Sequence, residues 1–262
     1  MPTVCRLGLA TRGGSGLERE DIEWAVARGV NYLNWCGHPD GLSETIAQLG
    51  AARSEVVVAV QFQARTHQES AREFEFYLKK LNTGYIDIAT LYYVESCKDW
   101  NVITVPDGAW NYLETEKRAG RLRLIGLTSH QRPLAASWAR TGLLDMLMIR
   151  YNAAHRGAED EIFVITSRHA LPVVTFTGLR WGALLKPTPE DPPGCLPPSP
   201  ADCYRFCLAN KNVAVTLMAP ANRRELESNL KLLDDWRAPT AAETAAIRAH
   251  GDRVRRQAGT FW

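Results

Sequence analysis

The stretch GVNYLNWCG, residues 29–37, begins as a buried strand and ends in side chains that can do chemistry. Asn34 brings an amide and Cys36 a thiol, and His38 and Asp40 follow in the next loop as an acid–base pair. A His-x-Asp pair beside a cysteine also has the ligand types that zinc and iron prefer. These residues share one loop and no second cluster is evident elsewhere, so the sequence predicts a polar turn there and no metal site.

Polar and aromatic side chains also end the other apolar runs of the chain. If those runs are strands of one parallel sheet, their ends meet at one edge and can surround a small molecule. For any one of these residues, hydrogen bonding to the loop backbone is an equally good explanation. The predicted substrate contacts are Trp35, Cys36, Tyr93, His130, Arg150, Asn152 and Phe176, with Gln61, Gln63, Tyr92, Ser129 and Thr177 beside them.

Strand-like and helix-like stretches alternate along the chain, and together they make eight units. EVVVAVQF is a continuous β-branched run, which is typical of a strand buried on both faces, and SAREFEFYLKKL is the amphipathic helix after it. No GxGxxG turn follows the first strand, which argues against an open dinucleotide-binding sheet. The pattern predicts an α/β fold, a single (β/α)8 TIM barrel over residues 1–262, with a last helix in AAETAAIRAHGDRVRRQ.

Composition limits the kinds of binding partner that we expect. A net charge of +2 without a long basic run argues against a nucleic-acid partner. No stretch approaches the roughly 18 apolar residues of a membrane span, and the N-terminus lacks a signal core, so we expect a cytoplasmic protein without a membrane partner. The six cysteines form no CxxC pair and are expected to be free thiols. The expected partner is a small-molecule substrate, and the oligomeric state stays open.

The segment KPTPEDPPGCLPPSP, residues 186–200, is too rich in proline for a helix or a strand. It follows the seventh predicted strand, where barrel loops border the active site. We expect a stiff surface connection, and a lid over the site is the alternative.

Five longer segments have the order and spacing of a known family. They are GVNYLNW with SETIAQLG after it, LKKLNTGYIDIATLYY, AGRLRLIGLTS, MIRYNAAHRG and the closing RRELESNL. On these segments the chain resembles an aldo-keto reductase over nearly its whole length. The resemblance implies a (β/α)8 barrel of aldo-keto reductase type, which binds NADPH without a Rossmann domain and reduces carbonyls.

The resemblance also implies a catalytic tetrad of Asp, Tyr, Lys and His, and this chain replaces all four. The Asp falls on Asn34 and the Lys on Gln61. The His falls on Tyr92, and the Tyr falls on Asp40, or on Pro39 with a one-residue shift. A buried charge without its partner is strongly destabilising, so the losses of Asp and Lys are linked. We expect Asn34 and Gln61 to replace the ion pair with an amide–amide hydrogen bond.

The positions at which the family holds its cofactor are altered too. After strand eight, where the family binds the 2′-phosphate with basic and hydroxyl side chains, residues 219–225 read APANRRE without a Lys-Ser pair. Met148 stands where an amide would contact nicotinamide. Arg223 and Arg224 could meet a phosphate at a helix N-terminus, but a capping box with solvated arginines is favoured. The resemblance therefore implies no cofactor or weakly bound NADPH. Retained binding would use Ser129, Phe176, Arg223, Arg224 and Asn229.

Three classes of function are compatible with these replacements. Losing a positioned acid typically costs about 10²–10⁴ in rate, which argues against the family's hydride chemistry. Several titratable groups remain near the predicted pocket, Glu95 among them, which argues against a dead protein. We favour a non-redox enzyme of lyase, isomerase, dehydratase or cyclase type that acts on a small molecule. The alternatives are a divergent NADPH-dependent carbonyl oxidoreductase and a catalytically inactive binding or regulatory protein.

Tyr92 is the predicted proton donor of the favoured class. An ordinary tyrosine has a pKa of about 10, so its hydroxyl stays protonated near neutral pH and can donate to a substrate oxygen. Asp40 or His38 would accept a proton across the pocket. The alternative is that Tyr92 packs near Trp110 as a structural residue. The predicted catalytic residues are therefore Tyr92, Asp40, His38, Asn34 and Gln61.

Overall fold

Eight parallel strands close into a barrel in the computed structural model, which describes residues 2–11 and 15–257. Each strand pairs with the next one along the chain, and the last strand returns to the first, where Gly8 pairs with Leu217. This confirms the predicted (β/α)8 barrel. The strands are β1 (Leu7–Ala10), β2 (Tyr32–Trp35), β3 (Val57–Phe62), β4 (Ile86–Leu91), β5 (Leu122–Thr128), β6 (Met146–Arg150), β7 (Val173–Phe176) and β8 (Val213–Met218).

Helices surround the barrel, and several begin at a capping side chain. Thr66, Ser199 and Thr240 each accept a hydrogen bond from a backbone N–H in the first turn of the helix that follows. No helix within the described ranges is long and apolar enough to span a bilayer. The α-helices are α1 (Arg19–Ala27), α2 (Gly41–Gln48), α3 (His67–Lys80), α4 (Cys97–Thr104), α5 (Ala109–Arg118), α6 (Arg132–Ala139), α7 (Ala158–Glu161), α8 (Phe163–Arg168), α9 (Pro200–Ala209), α10 (Arg223–Asp234) and α11 (Ala241–Arg256), and Gly50–Glu55 and Ala183–Leu185 are 3₁₀ helices.

Two helical regions differ from the sequence expectation. The sequence predicts no helix at α4, although Ser96 marks its start by accepting a hydrogen bond from the backbone N–H of Asp99 at 3.1 Å. The segment AEDEIFVITSRH is predicted as one helix, but it forms α7 and α8, which Ile162 separates. Short helices with caps inside polar loops lack the apolar period by which the longer ones are recognised.

Residues 186–199 form neither helix nor strand, as predicted. Two of their carboxylates hold this connection against α11. Asp191 accepts a hydrogen bond from Nε of Arg253 at 2.6 Å, and Glu190 pairs with Arg256. These ion pairs favour the predicted surface connection over a lid.

The strand side chains divide into two apolar clusters. Val57, Ala59 and Ile88 belong to the cluster inside the barrel, whereas Val58 and Val60 belong to the cluster that packs against the helices. Successive side chains of a strand point to opposite faces, so one strand supplies both clusters. Burial on both faces explains why the strands read as continuous apolar runs.

A buried carboxylate holds together the N-terminal ends of β3, β4 and β5. Asp87 has no exposed side-chain surface, and its two oxygens contact Arg53 at 2.8 Å and Arg123 at 2.6 Å. It also accepts a hydrogen bond from the backbone N–H of Val58 at 2.9 Å. The ring of Tyr85 lies 4.1 and 4.5 Å from the two guanidinium carbons. The network therefore holds the N-terminal ends of these strands together. The loops at the C-terminal ends remain available to form a site.

Replacing Asp87 by alanine should lower the free energy of unfolding by about 3–5 kcal/mol, because Arg53 stays buried without a counter-charge. Urea unfolding at neutral pH measures this. The matched control is Asp234→Ala, which removes an exposed pair with Arg28 and should cost less than about 1 kcal/mol. Equal effects of the two substitutions would contradict this role of Asp87.

Candidate functional site

A cavity of about 470 Å³ opens at the C-terminal ends of the strands. A volume of this size is typical of a small-molecule site. The cavity extends from the strand ends to the first turns of α10. Its wall contains these predicted site residues: Asn34, Cys36, Gln61, Tyr92, Tyr93, His130, Phe176 and Asn229.

Asn34 faces the interior of the barrel from β2. Its strand partners Ala10 and Ala59 belong to the interior cluster. Asn34 is 1% exposed, and neither atom of its amide has a hydrogen-bond partner among the described residues. The predicted amide–amide bond to Gln61 is therefore wrong. Gln61 lies two residues beyond Ala59 on β3, which places it about 6–7 Å nearer the mouth.

Thr128 is a second buried polar residue in the cavity wall. It is 1% exposed, and its hydroxyl has no hydrogen-bond partner in the described part of the chain. Its neighbour Ser129, the predicted cofactor contact, lies outside the cavity wall and accepts a hydrogen bond from the backbone N–H of Gln131 at 3.1 Å. The alternation of side chains along β5, counted from Gly126, is the signal that identifies Thr128.

Two tyrosines after β4 form an aromatic wall. The rings of Tyr92 and Tyr93 stack with centroids 3.8 Å apart. Tyr93 takes a left-handed backbone conformation with φ of 50°, which is rare for a bulky residue and turns its ring back over Tyr92. Burial and a hydrogen bond with Tyr93 raise the pKa of Tyr92 well above its usual value. Tyr92 is therefore a neutral hydrogen-bond donor. Trp110, near which Tyr92 would pack in the alternative prediction, donates a hydrogen bond from its indole to the carbonyl of Leu143.

A carboxylate positions His130 next to the two tyrosines. Glu95 accepts hydrogen bonds from the backbone N–H of His130 at 2.8 Å and lies 3.0 Å from its Nδ1. The imidazole meets Tyr93 at 4.8 Å and the edge of Phe176 at 5.6 Å between centroids. Nε2 has no hydrogen-bond partner within the described ranges. Glu95 is predicted only as a titratable group near the pocket. The signal for its pairing is that it follows β4, which pairs with β5, and β5 ends just before His130.

The structure does not bring His38 and Asp40 into the cavity wall. Asp40 caps α2, where it accepts hydrogen bonds from the backbone N–H of Ser43 at 2.8 Å and from the hydroxyl of Thr11. His38 is exposed, and its carbonyl accepts a hydrogen bond from the Trp35 indole. Capping the helix N-terminus uses the carboxylate that was predicted as the counterpart of Tyr92. In the structure, the titratable pair beside Tyr92 is His130 with Glu95, in place of His38 and Asp40.

Three predicted substrate contacts also lie outside the wall. Trp35 is fully buried under the helices, with its ring 5.3 Å from that of Tyr77, because it points opposite to Asn34 on β2. Asn152 accepts two backbone hydrogen bonds at 3.0 Å and donates to the carbonyl of Thr177 at 2.8 Å, so it shapes its loop. The guanidinium of Arg150 lies 5.8 Å from the ring of Trp181 at the mouth.

The predicted cofactor arginines point away from the cavity. Arg223 contacts Glu227 at 2.9 Å and Asp21 at 3.3 Å, and it lies 3.8 Å from the ring of Trp24. Arg224 is exposed on α10 and is not in the cavity wall. These contacts tie Arg223 to α1 and remove it from any phosphate in the cavity.

The end of the cavity at α10 carries negative charge. Glu225 lines it together with Ser228 and Asn229. Asn222 caps α10 by accepting a hydrogen bond from the backbone N–H of Glu225 at 3.0 Å, as predicted. The predicted capping box is not completed, because the Glu225 carboxylate accepts from the backbone N–H of Ala221 instead. Among the described residues of the wall there is no lysine or arginine. The described wall therefore suits a phosphate poorly, because an anion there would meet Glu225 without a neighbouring cation.

Comparison with known proteins supports the same architecture. The model described as Aldo/keto reductase family matches residues 17–201. Among solved structures, the holo form of aldo-keto reductase AKR11C1 from Bacillus halodurans has a TM-score of 0.76 at 19% identity, over 94% of this chain and 92% of that chain. Its apo form has a TM-score of 0.73 at 18% identity over the same shares. No curated protein matches this chain.

Asn34→Asp should lower the free energy of unfolding by about 3 kcal/mol at pH 8, because it creates a buried carboxylate without a cation. Burial raises the pKa of such a carboxyl above its unfolded value, so the deficit should shrink as the pH falls and the native state binds the proton. Adding Gln61→Lys should recover stability at pH 8. Urea unfolding of the four members of this cycle tests the coupling, and additive effects of the two substitutions would contradict it.

Proposed function

The chain belongs to the aldo/keto reductase family, and we propose that it uses the family's barrel for acid–base chemistry on a small molecule without hydride transfer. The reaction would be an elimination, isomerisation or cyclisation. The observation that carries this proposal is the His130–Glu95 pair, which shares a cavity with the neutral Tyr92 hydroxyl. An oriented base and a donor in one pocket are what such reactions require.

Glu95 sets the proton on His130. An ionised carboxylate only accepts hydrogen bonds, so the Nδ1 that faces Glu95 carries the proton. The lone pair then belongs to Nε2, which can take a proton from a substrate carbon or hydroxyl. Contacts with Tyr93 and Phe176 on either side keep the ring in place. His130 is therefore the proposed base, and Glu95 is its positioning residue.

Tyr92 supplies the complementary step. Its raised pKa keeps the hydroxyl protonated, so it can donate to a substrate oxygen on which charge develops. The proton removed from the substrate goes to Nε2 of His130, while Tyr92 keeps its own proton and donates a hydrogen bond to the developing oxyanion. In an isomerisation, the protonated His130 returns this proton to another atom of the substrate. In an elimination, His130 gives it to the leaving oxygen, which takes the electron pair of the broken bond, so neither reaction transfers a hydride.

The family typically binds NADP(H), but the residues of this cavity are a poor match for it. A phosphate beside the described wall would meet the Glu225 carboxylate. Arg223 is not available to it, because Asp21 and Glu227 hold the guanidinium. Met148 in the wall has no donor for a nicotinamide amide. We therefore propose weak NADPH binding or none, and we assign no step to the cofactor.

A divergent NADPH-dependent reductase is the second candidate. Phe176 and Asn229, two of the positions that would contact the cofactor, do line the cavity. The cavity also extends from the strand ends to α10, along the path that a dinucleotide would need. In this case Tyr92 would donate the proton to the carbonyl oxygen.

Titration with NADPH separates the two candidates. We expect a dissociation constant above about 100 μM by calorimetry or by protein fluorescence, because the wall lacks a cation for the phosphates. Introducing one with Glu225→Arg should tighten binding at least about tenfold, since it replaces repulsion by attraction. Tight stoichiometric binding by the unmodified protein would favour the reductase.

Proton exchange tests the proposed base directly. In D₂O and without NADPH, the protein should exchange the C–H protons beside the carbonyl of an aryl ketone such as acetophenone, which proton NMR follows. His130→Asn should slow this exchange by about 10²–10⁴, the usual worth of a positioned acid or base. Tyr92→Phe should slow it as well, because the developing oxyanion loses its donor.

The matched control is His169→Asn, which changes an exposed histidine at the end of α8 and should leave the exchange rate unchanged. Circular dichroism spectra verify that each variant is folded. Exchange at the rate of buffer alone, or equal rates for the His130 and His169 variants, would contradict the proposed function.

A further inference from the structure

The inner part of the cavity presents polar groups that have no hydrogen-bond partner among the described residues. Asn34 exposes neither atom of its amide to solvent, and Thr128 does not expose its hydroxyl, yet both line the cavity and neither hydrogen bonds to another described residue. Buried donors and acceptors are nearly always paired in folded proteins. An open pair of this kind therefore points to a ligand that completes it.

These groups are neutral, and so is the next residue toward the mouth. The Gln61 side chain lines the cavity and makes no hydrogen bond within the part of the chain described. Glu225 is the one carboxylate among the described wall residues, and no lysine or arginine balances it there. The guanidinium of Arg150 lies outside the wall, near Trp181 at the mouth. A ligand carboxylate or phosphate beside Asn34 and Thr128 would therefore lose its hydration without a lysine or arginine in the described wall. The inner part of the cavity selects against anions.

Another part of the wall is formed by aromatic side chains. Tyr92 and Tyr93 stack with an interplanar angle of 29°, and Phe176 and Trp181 also line the cavity. Aromatic side chains favour planar ligands, against which they stack or place their edges. The polar part of such a ligand would then reach inward to Asn34.

We propose that the cavity binds a neutral, planar compound with an N–H next to a C=O, as in a cyclic amide. The amide of Asn34 donates to the carbonyl and accepts from the N–H, so both of its open atoms are used. Thr128 hydrogen bonds to a further polar group, and the aromatic wall covers the ring. This assignment rests on the proposed function for the reaction that follows, but binding itself requires neither that reaction nor a cofactor.

The test compares three ring compounds of nearly equal size by calorimetric titration without NADPH. 2-Quinolone has the N–H and the C=O, 1-methyl-2-quinolone lacks the N–H, and quinoline-2-carboxylate carries a negative charge. We expect 2-quinolone to bind at least about tenfold more tightly than either of the others. This comparison uses the unmodified protein, so it does not depend on whether a variant folds.

Asn34→Leu provides the matched variant. It should abolish the preference for 2-quinolone over its methyl derivative. It should also raise the melting temperature of the free protein, because it removes a buried amide that hydrogen bonds to no other residue of the described ranges. Thr128→Val, which keeps the shape of the side chain, should weaken 2-quinolone binding and raise the melting temperature in the same direction. Equal affinities for the three compounds, preference for the carboxylate, or no saturable binding of 2-quinolone would overturn the proposal.

A parallel NADPH titration separates this inference from the proposed function. Selective 2-quinolone binding together with tight NADPH binding would keep the cyclic-amide site and overturn the non-redox reaction. Absence of 2-quinolone selectivity together with weak NADPH binding would overturn the site alone. Loss of exchange in His130→Asn with unchanged 2-quinolone affinity would support both assignments, because it separates the base from the recognition group.

Discussion

The alternation of side chains along the parallel strands decides what this cavity contains. A closed barrel has an inside and an outside, and successive residues of a strand must point to opposite faces. Asn34 therefore reaches the cavity while Trp35 packs under the helices. Thr128 reaches it as the last residue of its strand, whereas Ser129 satisfies a loop backbone. A shift of one residue along a strand therefore moves a side chain from the cavity wall to the core under the helices.

Several charged side chains form their ion pairs and hydrogen bonds outside the cavity. Asp87 joins two arginines at the opposite end of the barrel, Asp40 caps a helix and Arg223 is bound to α1. Each arrangement satisfies a charge that would otherwise be costly to bury. The cavity is left with neutral polar groups, one carboxylate and one oriented imidazole in its described wall. Such an environment suits uncharged molecules better than phosphates.

Much of the fold could be predicted from the sequence, because a strand buried on both faces reads as a long β-branched run. EVVVAVQF is such a run and contains β3, and the barrel has the eight strands that the alternation of strand-like and helix-like stretches predicts. Less of the site could be predicted. Cavity residues were found where a strand end points inward, as at Gln61, but capping removed Asp40 and a loop turn removed Asn152. The pairing of Glu95 with His130 joins residues that are far apart in sequence, and only the neighbouring positions of β4 and β5 reveal it.

The buried amide of Asn34 is costly for folding alone. An apolar residue at this position would be more stable than an amide whose donor and acceptor have no hydrogen-bond partner among the described residues. A side chain that lowers stability persists where a function requires it, and such costs are characteristic of binding and catalytic sites. Thr128 shows the same cost in the same cavity, although valine has its shape without the hydroxyl. Two independent positions thus retain polar atoms where folding alone favours none, which is the physical mark of a cavity maintained for a ligand.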